Sequence, residues 1–270
     1  SIGDAHLEGL TDRRGVATEK SSLLDHLRPG GLAMLNADAP ELAPILEGRH
    51  EYSVISFGTS DAADVQVTGV ESRIDGTTFR INGRLNVSLP CPGEHNALNA
   101  AAAFAVCRRL NVEPERIVEL LSTFKPPPMR LDVSRVGGLT LIDDSYNANP
   151  SSTAAAIEVL RATNSGGRRV FVGGQMLELG AAAAAHHRGA GRHIARAGID
   201  LVVAIGDHAP DVICGVHSVN RRLTAVLYAD TETACADLPN WLNDSDTVLI
   251  KGSRQLQLDR VARSVRAAFA

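Results

Sequence analysis

The densest chemistry in the chain is Asp143-Asp144-Ser145-Tyr146-Asn147-Ala148-Asn149-Pro150, which follows the apolar run LTLI and precedes a helical pattern. Ligands of open α/β sheets bind at the carboxyl ends of parallel strands, where this segment falls. One capping residue, Asn149 or Ser151, suffices to start the helix, with Pro150 in its first turn. That leaves Asp144 and Asn147 as candidates for a ligand-binding role. Lys251-Gly252-Ser253-Arg254 follows a second apolar run, TVLI. Its cations and amides suit an anion at the start of the final helix, although a plain strand-to-helix turn has the same composition. Gly93-Glu94-His95-Asn96 opens a further helix, and Asn99 lies three residues beyond Asn96, on the same side. An amide that both donates and accepts matches an adenine edge, but taken alone these residues are better explained by an N-cap with a satisfied amide. His6, Glu8 and Lys20 could surround a divalent cation, or be a solvated histidine, acid and lysine. Gly173-Gly174-Gln175-Met176-Leu177-Glu178-Leu179-Gly180 ends another strand, and His186-His187 follow it without a third ligand at zinc spacing.

These segments need strands to present them. Helix composition over 14–28 stops at Pro29-Gly30-Gly31. Strands are expected at 31–36 and 51–58, with a helix near 40–47 between them. Residues 64–90 alternate apolar and polar side chains around Asp75-Gly76 and Asn82-Gly83, the pattern of a small antiparallel meander. Helices follow at 96–110 and after Pro114. Pro126-Pro127-Pro128 cannot continue a helix and marks a domain boundary, which divides the chain into 1–127 and 128–270. Beyond it a hairpin pivots on Gly137-Gly138. Apolar strands at 139–142, 169–173, 201–205, 223–228 and 247–250 then alternate with helices at 151–163, 182–197, 208–214, 231–242 and 255–269. This is the signature of βαβ units and a mostly parallel sheet.

Composition excludes several classes. With 44% hydrophobic and 21% charged residues, the 270-residue chain can fill a core. A net charge of −4 and 4% aromatics argue against a nucleic-acid binder. No apolar run spans a bilayer, so membrane insertion is not expected. Cys91, Cys107, Cys214 and Cys235 form no CxxC pair, which fits a reducing cytoplasm. The first residues lack the charged and apolar regions of a signal peptide. They open on a Gly/His/Glu-rich turn without an initiator Met, and a preceding segment is expected.

Taken in order, GDAHLEGL, ATEK, LNADAP, GEHNALNAAAA, Arg130, DDSYNANPSS, GGQMLELG with its following HH, and KGSR resemble the Mur ligases, and within them the MurF type. DDSYNANP and MLELG are the most specific of these, and the resemblance runs from Gly3 to the last helix. It implies an α/β chain made of the later part of a central ATPase domain, with the small antiparallel meander, followed by a Rossmann-like C-terminal domain. The glycine loop G-x-x-G-K-[ST] of the family occurs nowhere in the 270 residues. By resemblance, His6 and Lys20 are catalytic and hold magnesium, Lys20 as a carbamate. A carbamate turns an ammonium into an anion that can sit beside a cation. Asn99 contacts adenine, Arg130 phosphate and Asp144 ribose, with Tyr146 and Asn147 beside them. Lys251, Gly252, Ser253 and Arg254 receive the incoming dipeptide. Gln175 stands where the family carries an acid, so a charge-dependent role for that turn is in question.

The activity implied is ATP-dependent ligation of D-alanyl-D-alanine to UDP-N-acetylmuramoyl-tripeptide through an acyl phosphate, by a monomer, in the cytoplasmic stage of peptidoglycan synthesis. Two alternatives stay open. One is a non-catalytic truncated homologue that binds nucleotide, muramyl peptide or a partner. The other is a different Mur ligase or a ligase like folylpolyglutamate synthase.

Overall fold

The computed structural model describes residues 2–4, 6–163 and 166–270. Ala5 of the GDAHLEGL segment therefore lies outside the described residues. The chain divides into two compact units, Ser1–Lys125 and Pro126–Ala270.

The first unit begins with α1 (Leu7–Leu10) and α2 (Arg13–Ser21). Asp12 caps α2 by accepting from the Gly15 amide. The helix expected over 14–28 breaks after Ser21 into a 3₁₀ turn, Ser22–His26. A sheet follows with strands β1 (Leu32–Asn36), β2 (Ser53–Gly58), β3 (Val65–Arg73), β4 (Gly76–Ile81) and β5 (Leu85–Leu89), in spatial order β1-β2-β3-β4-β5. The short helix α3 (Ala43–Leu46) connects β1 to β2. β1 and β2 are parallel, whereas β3, β4 and β5 form the antiparallel meander. β3 serves both halves. It pairs with β2 only at Val65 and Gln66, then turns to β4, with a register shift between Thr68 and Glu71 around Gly69 at φ 61°. Positive φ at both Asn82 and Gly83 gives the tight turn between β4 and β5.

Alternation along β4 buries Thr77, Phe79 and Ile81. Together with Val65, Val67, Val87 and Leu89 they pack against α4 (Glu94–Arg109) and Ile117 of α5 (Pro114–Ser122). Ala97, Ala100, Ala101 and Ala105 on the buried side of α4 let it approach the sheet closely.

The second unit is a six-stranded sheet: β6 (Asp132–Val136), β7 (Leu139–Asp144), β8 (Arg169–Gly174), β9 (Leu201–Ile205), β10 (Thr224–Tyr228) and β11 (Thr247–Lys251), in order β10-β9-β8-β11-β7-β6. Only the β6–β7 hairpin is antiparallel. Every residue of β9 and β11 is buried, and so is β7 up to Asp143, as expected of parallel strands covered on both faces. The helices are α6 (Pro150–Ala162), α7 (Ala183–Arg196), α8 (Ala209–Val219), α9 (Thr231–Asp237) and α10 (Asp259–Phe269).

Two helix expectations need correction. The run at 231–242 divides because Pro239 cannot continue α9, and Leu238–Trp241 is a 3₁₀ turn. The Cys235 carbonyl, which Pro239 cannot serve, accepts from Ser264 Oγ at 2.6 Å. The final helix starts at Asp259 rather than 255. Gln257 adopts the left-handed conformation (φ 50°) after a 3₁₀ turn at Arg254–Leu256, and that stops the turn from continuing into the helix. The Lys251–Arg254 turn therefore does not sit on the N-terminus of the last helix, and the helix-dipole argument for an anion there falls.

A core closed within residues 126–270 predicts an independently folding piece. Expressed alone, it should unfold in one cooperative urea transition, and limited proteolysis near Pro126–Pro128 should release it intact. A fragment without cooperative unfolding would contradict this.

Candidate functional site

The order β8-β11-β7 brings three sequence motifs together. In register, Lys251 lies beside Asp144 on one side and Gly173 on the other. The turns that follow these strands, DDSYNANP, KGSR and GGQMLELG, therefore leave the same edge of the sheet.

At the centre is a buried ion pair. Lys251 Nζ lies 2.6 Å from Asp144 Oδ2, with side-chain exposures of 3% and 14%. The same ammonium donates to the Asn147 carbonyl at 3.1 Å, and Asp144 Oδ1 accepts from the Leu131 amide at 3.2 Å. Tyr146 donates its amide to the Met129 carbonyl. The Arg130 guanidinium lies 4.2 Å above the Tyr146 ring, a cation–π contact at a solvent-facing position. Arg254 reaches Asp259 at 3.3 Å and the Met129 sulfur at 3.7 Å. The structure thus gathers Arg130, Asp144, Tyr146, Asn147, Lys251, Gly252, Ser253 and Arg254 on one edge.

Gly252 passes so close to the β8 turn that a Cβ there would meet Leu258 at 2.6 Å and Gly174 Cα at 3.3 Å. This approach lets the Ser253 amide donate to the Gln175 carbonyl at 3.2 Å. Gln175 is thereby used through its backbone, which asks nothing of side-chain charge. Ser253 is 1% exposed, and its hydroxyl has no hydrogen-bond partner among the described residues.

Two anchors, Asp143 and His187, went unread in the sequence. Asp143, buried beside Asp144, accepts from both the amide and the hydroxyl of Ser145 and faces Arg266 of α10 at 3.4 Å. Its acid side chain fixes the turn. The doubled Asp was the available signal, but adjacent strand residues face opposite sides of the sheet, so the two had to differ in role. Of the two capping candidates, Asn149 is the cap of α6, in a reciprocal box with Ser152. His187 is buried within the unit and accepts from the Met176 amide at 2.9 Å. Burial holds its pKa below the ordinary imidazole value.

In the first unit, His6 precedes α1 with φ 59°, Lys20 lies in the last turn of α2, and Asn99 is on α4. All three are exposed. Asn99 donates to Asn96 Oδ1 at 3.2 Å, and Asn96 to the Pro92 carbonyl at 2.7 Å. The turn before α4 is held by buried Thr77, which donates to the Cys91 carbonyl, and by Ser72, which accepts from the Gly93 amide. At φ 104°, Gly93 occupies a region closed to other residues. Asp38, in LNADAP, clamps the exit of β2 by accepting from the Thr59 and Ser60 amides.

No group of three His, Cys, Asp or Glu is placed to hold a metal among the described residues. An imidazole and an unmodified ammonium supply no anionic oxygen, so His6 and Lys20 as they stand do not fit magnesium. A recess of about 1100 Å³ in this unit, lined in part by Arg14, Glu41 and Tyr52, touches none of the three candidates. It gives no support to a site at them. No helix among the described residues is long and apolar enough to cross a membrane.

The family model for the Mur ligase middle domain matches residues 1–107, and that for the Mur ligase glutamate ligase domain matches 129–254. The chain belongs to the Mur ligase family. Among curated relatives it is similar to the UDP-N-acetylmuramoyl-tripeptide–D-alanyl-D-alanine ligases of Escherichia coli (32% identity over 275 residues) and Bacillus subtilis (28% over 267). Each alignment covers 98% of this chain but only 59% and 58% of the relative. The structure of MurF from Acinetobacter baumannii superposes with a TM-score of 0.88 at 30% identity, over 99% of this chain and 58% of that one. The chain thus spans somewhat under three-fifths of the proteins it matches.

Lys251→Met removes the ammonium from the half-buried Asp144 carboxylate and should cost up to about 3–5 kcal/mol. Lys251→Met with Asp144→Asn should cost clearly less than the single change. Urea denaturation of residues 126–270, with Asp144→Asn alone completing the cycle, measures this, and a double loss equal to the sum of the two single losses would show that the pair is not coupled.

Proposed function

We propose that this chain is the later part of an ATP-dependent ligase that joins D-alanyl-D-alanine to UDP-N-acetylmuramoyl-tripeptide in the cytoplasm. The observation that carries this reading is the meeting of the DDSYNANP, KGSR and GGQMLELG turns around Lys251 and Asp144. The curated relatives that align with 98% of this chain bear that ligase's name, which favours it over other Mur ligases.

In the reaction the tripeptide carboxylate attacks the γ-phosphorus of ATP and ADP leaves, giving an acyl phosphate. The dipeptide amine then attacks the acyl carbon, inorganic phosphate departs and the ammonium proton is lost. Both steps depend on placing reactants and spreading phosphate charge. Arg130, held over Tyr146, supplies a guanidinium for phosphate. Asp144 offers a carboxylate to ribose hydroxyls, its orientation fixed by Lys251 and the Leu131 amide. Asn147 borders them, and Asn99 offers its amide to adenine. Ser253, with an unpartnered hydroxyl, and Arg254 are the dipeptide-binding members of their turn. Lys251 serves that turn by anchoring it. Lys20 acts as a carbamate near His6 in the assembled enzyme, and magnesium enters this reading only with that modification.

The 270 residues alone should release no phosphate from ATP and form no amide, because backbone amides of a glycine loop and its lysine are what cradle the phosphates. Turnover by the purified chain, free of other ligases, would contradict this.

Joined to the P-loop portion that the family pattern places upstream, the protein should produce amide, ADP and phosphate in equal amounts. Lys20→Ala should lower that rate at least about a hundredfold, since a loss near 2.7 kcal/mol of transition-state stabilisation corresponds to it. Added short carboxylates should restore part of the rate. Near-normal ligation by Lys20→Ala would show that Lys20 is only a surface residue.

A further inference from the structure

His187 is a buried histidine that the ligation scheme above does not use. Its Nδ1 lies 2.7 Å from the Ala183 carbonyl and its Nε2 2.9 Å from the Met176 amide. A carbonyl can only accept and an amide N–H can only donate. Nδ1 therefore carries the proton, Nε2 is bare, and the ring is neutral. The opposite tautomer would break both bonds at once.

Met176 is the pivot of the GGQMLELG turn. Its side chain is 3% exposed, and its sulfur accepts from Thr153 of α6 at 3.6 Å. One residue earlier, the Gln175 carbonyl accepts the Ser253 amide. A continuous bonded path therefore runs from the His187 ring through Met176 and Gln175 to the KGSR turn. We infer that His187 is a positioning residue: its neutral ring fixes the GGQMLELG turn and, through it, the place of Ser253 in the candidate dipeptide-binding turn. The role of Ser253 rests on the ligase reading above, whereas the mechanical link does not.

Protonation at Nε2 would set two N–H donors against each other, and the turn would have to leave the ring. The charged groups around it bear on when this happens. On α7 itself are His186 and Arg188. At the start of α8, the His208 ring stacks on His187 at 4.4 Å with Nδ1 3.0 Å from Asp211, whose other oxygen is 2.7 Å from Arg188. From α6, Glu158 is paired with Arg161 and with His193 further along α7. Burial and the neighbouring His208 lower the His187 pKa, so its protonation falls below the ordinary value of about 6.5. The sign follows. The unfolded state binds the proton more readily, so this contribution to stability is complete above about pH 6.5 and lost as pH falls through the lower folded value.

The test uses the ¹⁵N-labelled 270-residue chain. Ring ¹⁵N shifts should show His187 protonated on Nδ1 alone at neutral pH. On acidification, the amides of Met176 and Ser253 should shift together, with the midpoint of the His187 ring. His187→Gln keeps an acceptor that does not titrate, and should abolish the shared step. His208→Gln should retain it. Met176 and Ser253 amides that stay still while the His187 ring titrates would overturn the inference, as would a shared step that survives His187→Gln. If His187→Gln fails to fold, the wild-type midpoints and His208→Gln still decide. D-alanyl-D-alanine added at neutral pH tests the other reading. If it moves no resonance near Ser253, the dipeptide assignment fails while the amide titration judges His187 on its own.

Discussion

Lys251 and Asp144 are 107 positions apart in sequence and 2.6 Å apart in space. Their contact depends on β11 lying between β7 and β8, and much of the candidate site depends on their contact. A lysine and an aspartate taken out of water are tolerated only when each satisfies the other and the remaining bonding capacity is filled. Here the ammonium gives a second bond to the Asn147 carbonyl and the carboxylate takes one from the Leu131 amide, and both belong to segments that the site must hold still. The pair thus fixes the loop after β7 and the crossing segment before β6 with respect to the end of β11. Arg130 and Tyr146, which are exposed, take their place from these buried neighbours.

Around this centre the loops are tied through their backbones more than through their side-chain charges. Gln175 receives Ser253 by its carbonyl, Tyr146 holds Met129 by its amide, and His187 holds Met176 by its amide. Such bonds tolerate changes of side chain. Gln175 holds its turn through its carbonyl, so the charge of its side chain is not what the turn depends on. Gly252 and Gly174 are different, since a Cβ on either would press on the Leu258 side chain, at 2.6 and 2.9 Å, and that side chain would have to move.

The strands were legible in the sequence because apolar runs of strand length, bounded by glycine and polar clusters, have few other solutions. The meander was legible from Asn82-Gly83 and its alternating neighbours. Helix ends were less so. Pro239 stood in plain view inside an apolar pattern, and the left-handed Gln257 gave no compositional sign at all. Of the site, the motif turns could be picked out because their polar density exceeded what capping requires. Their meeting could not be derived from local pattern, since strand order is a property of the whole sheet. Asp143 and His187 were hidden for a related reason. A buried acid and a buried imidazole look like surface residues until their partners, Arg266 and Met176, are brought in by the fold.

The strand order also has a consequence for synthesis on the ribosome. β11 emerges after every other strand of its sheet, yet it occupies an interior position, hydrogen-bonded to β7 and β8 on its two sides. Until it arrives, β7 and β8 each present an open edge to a gap one strand wide. Non-local parallel pairing of this kind is slow, and unpaired edges are open to wrong partners while they wait. A nascent chain halted before residue 247 would carry β7 through β10 without the strand that joins their two groups. The strand that joins the two groups is thus the last of them in the chain, and the juxtaposition of Asp144 and Gly173 across Lys251 waits for it.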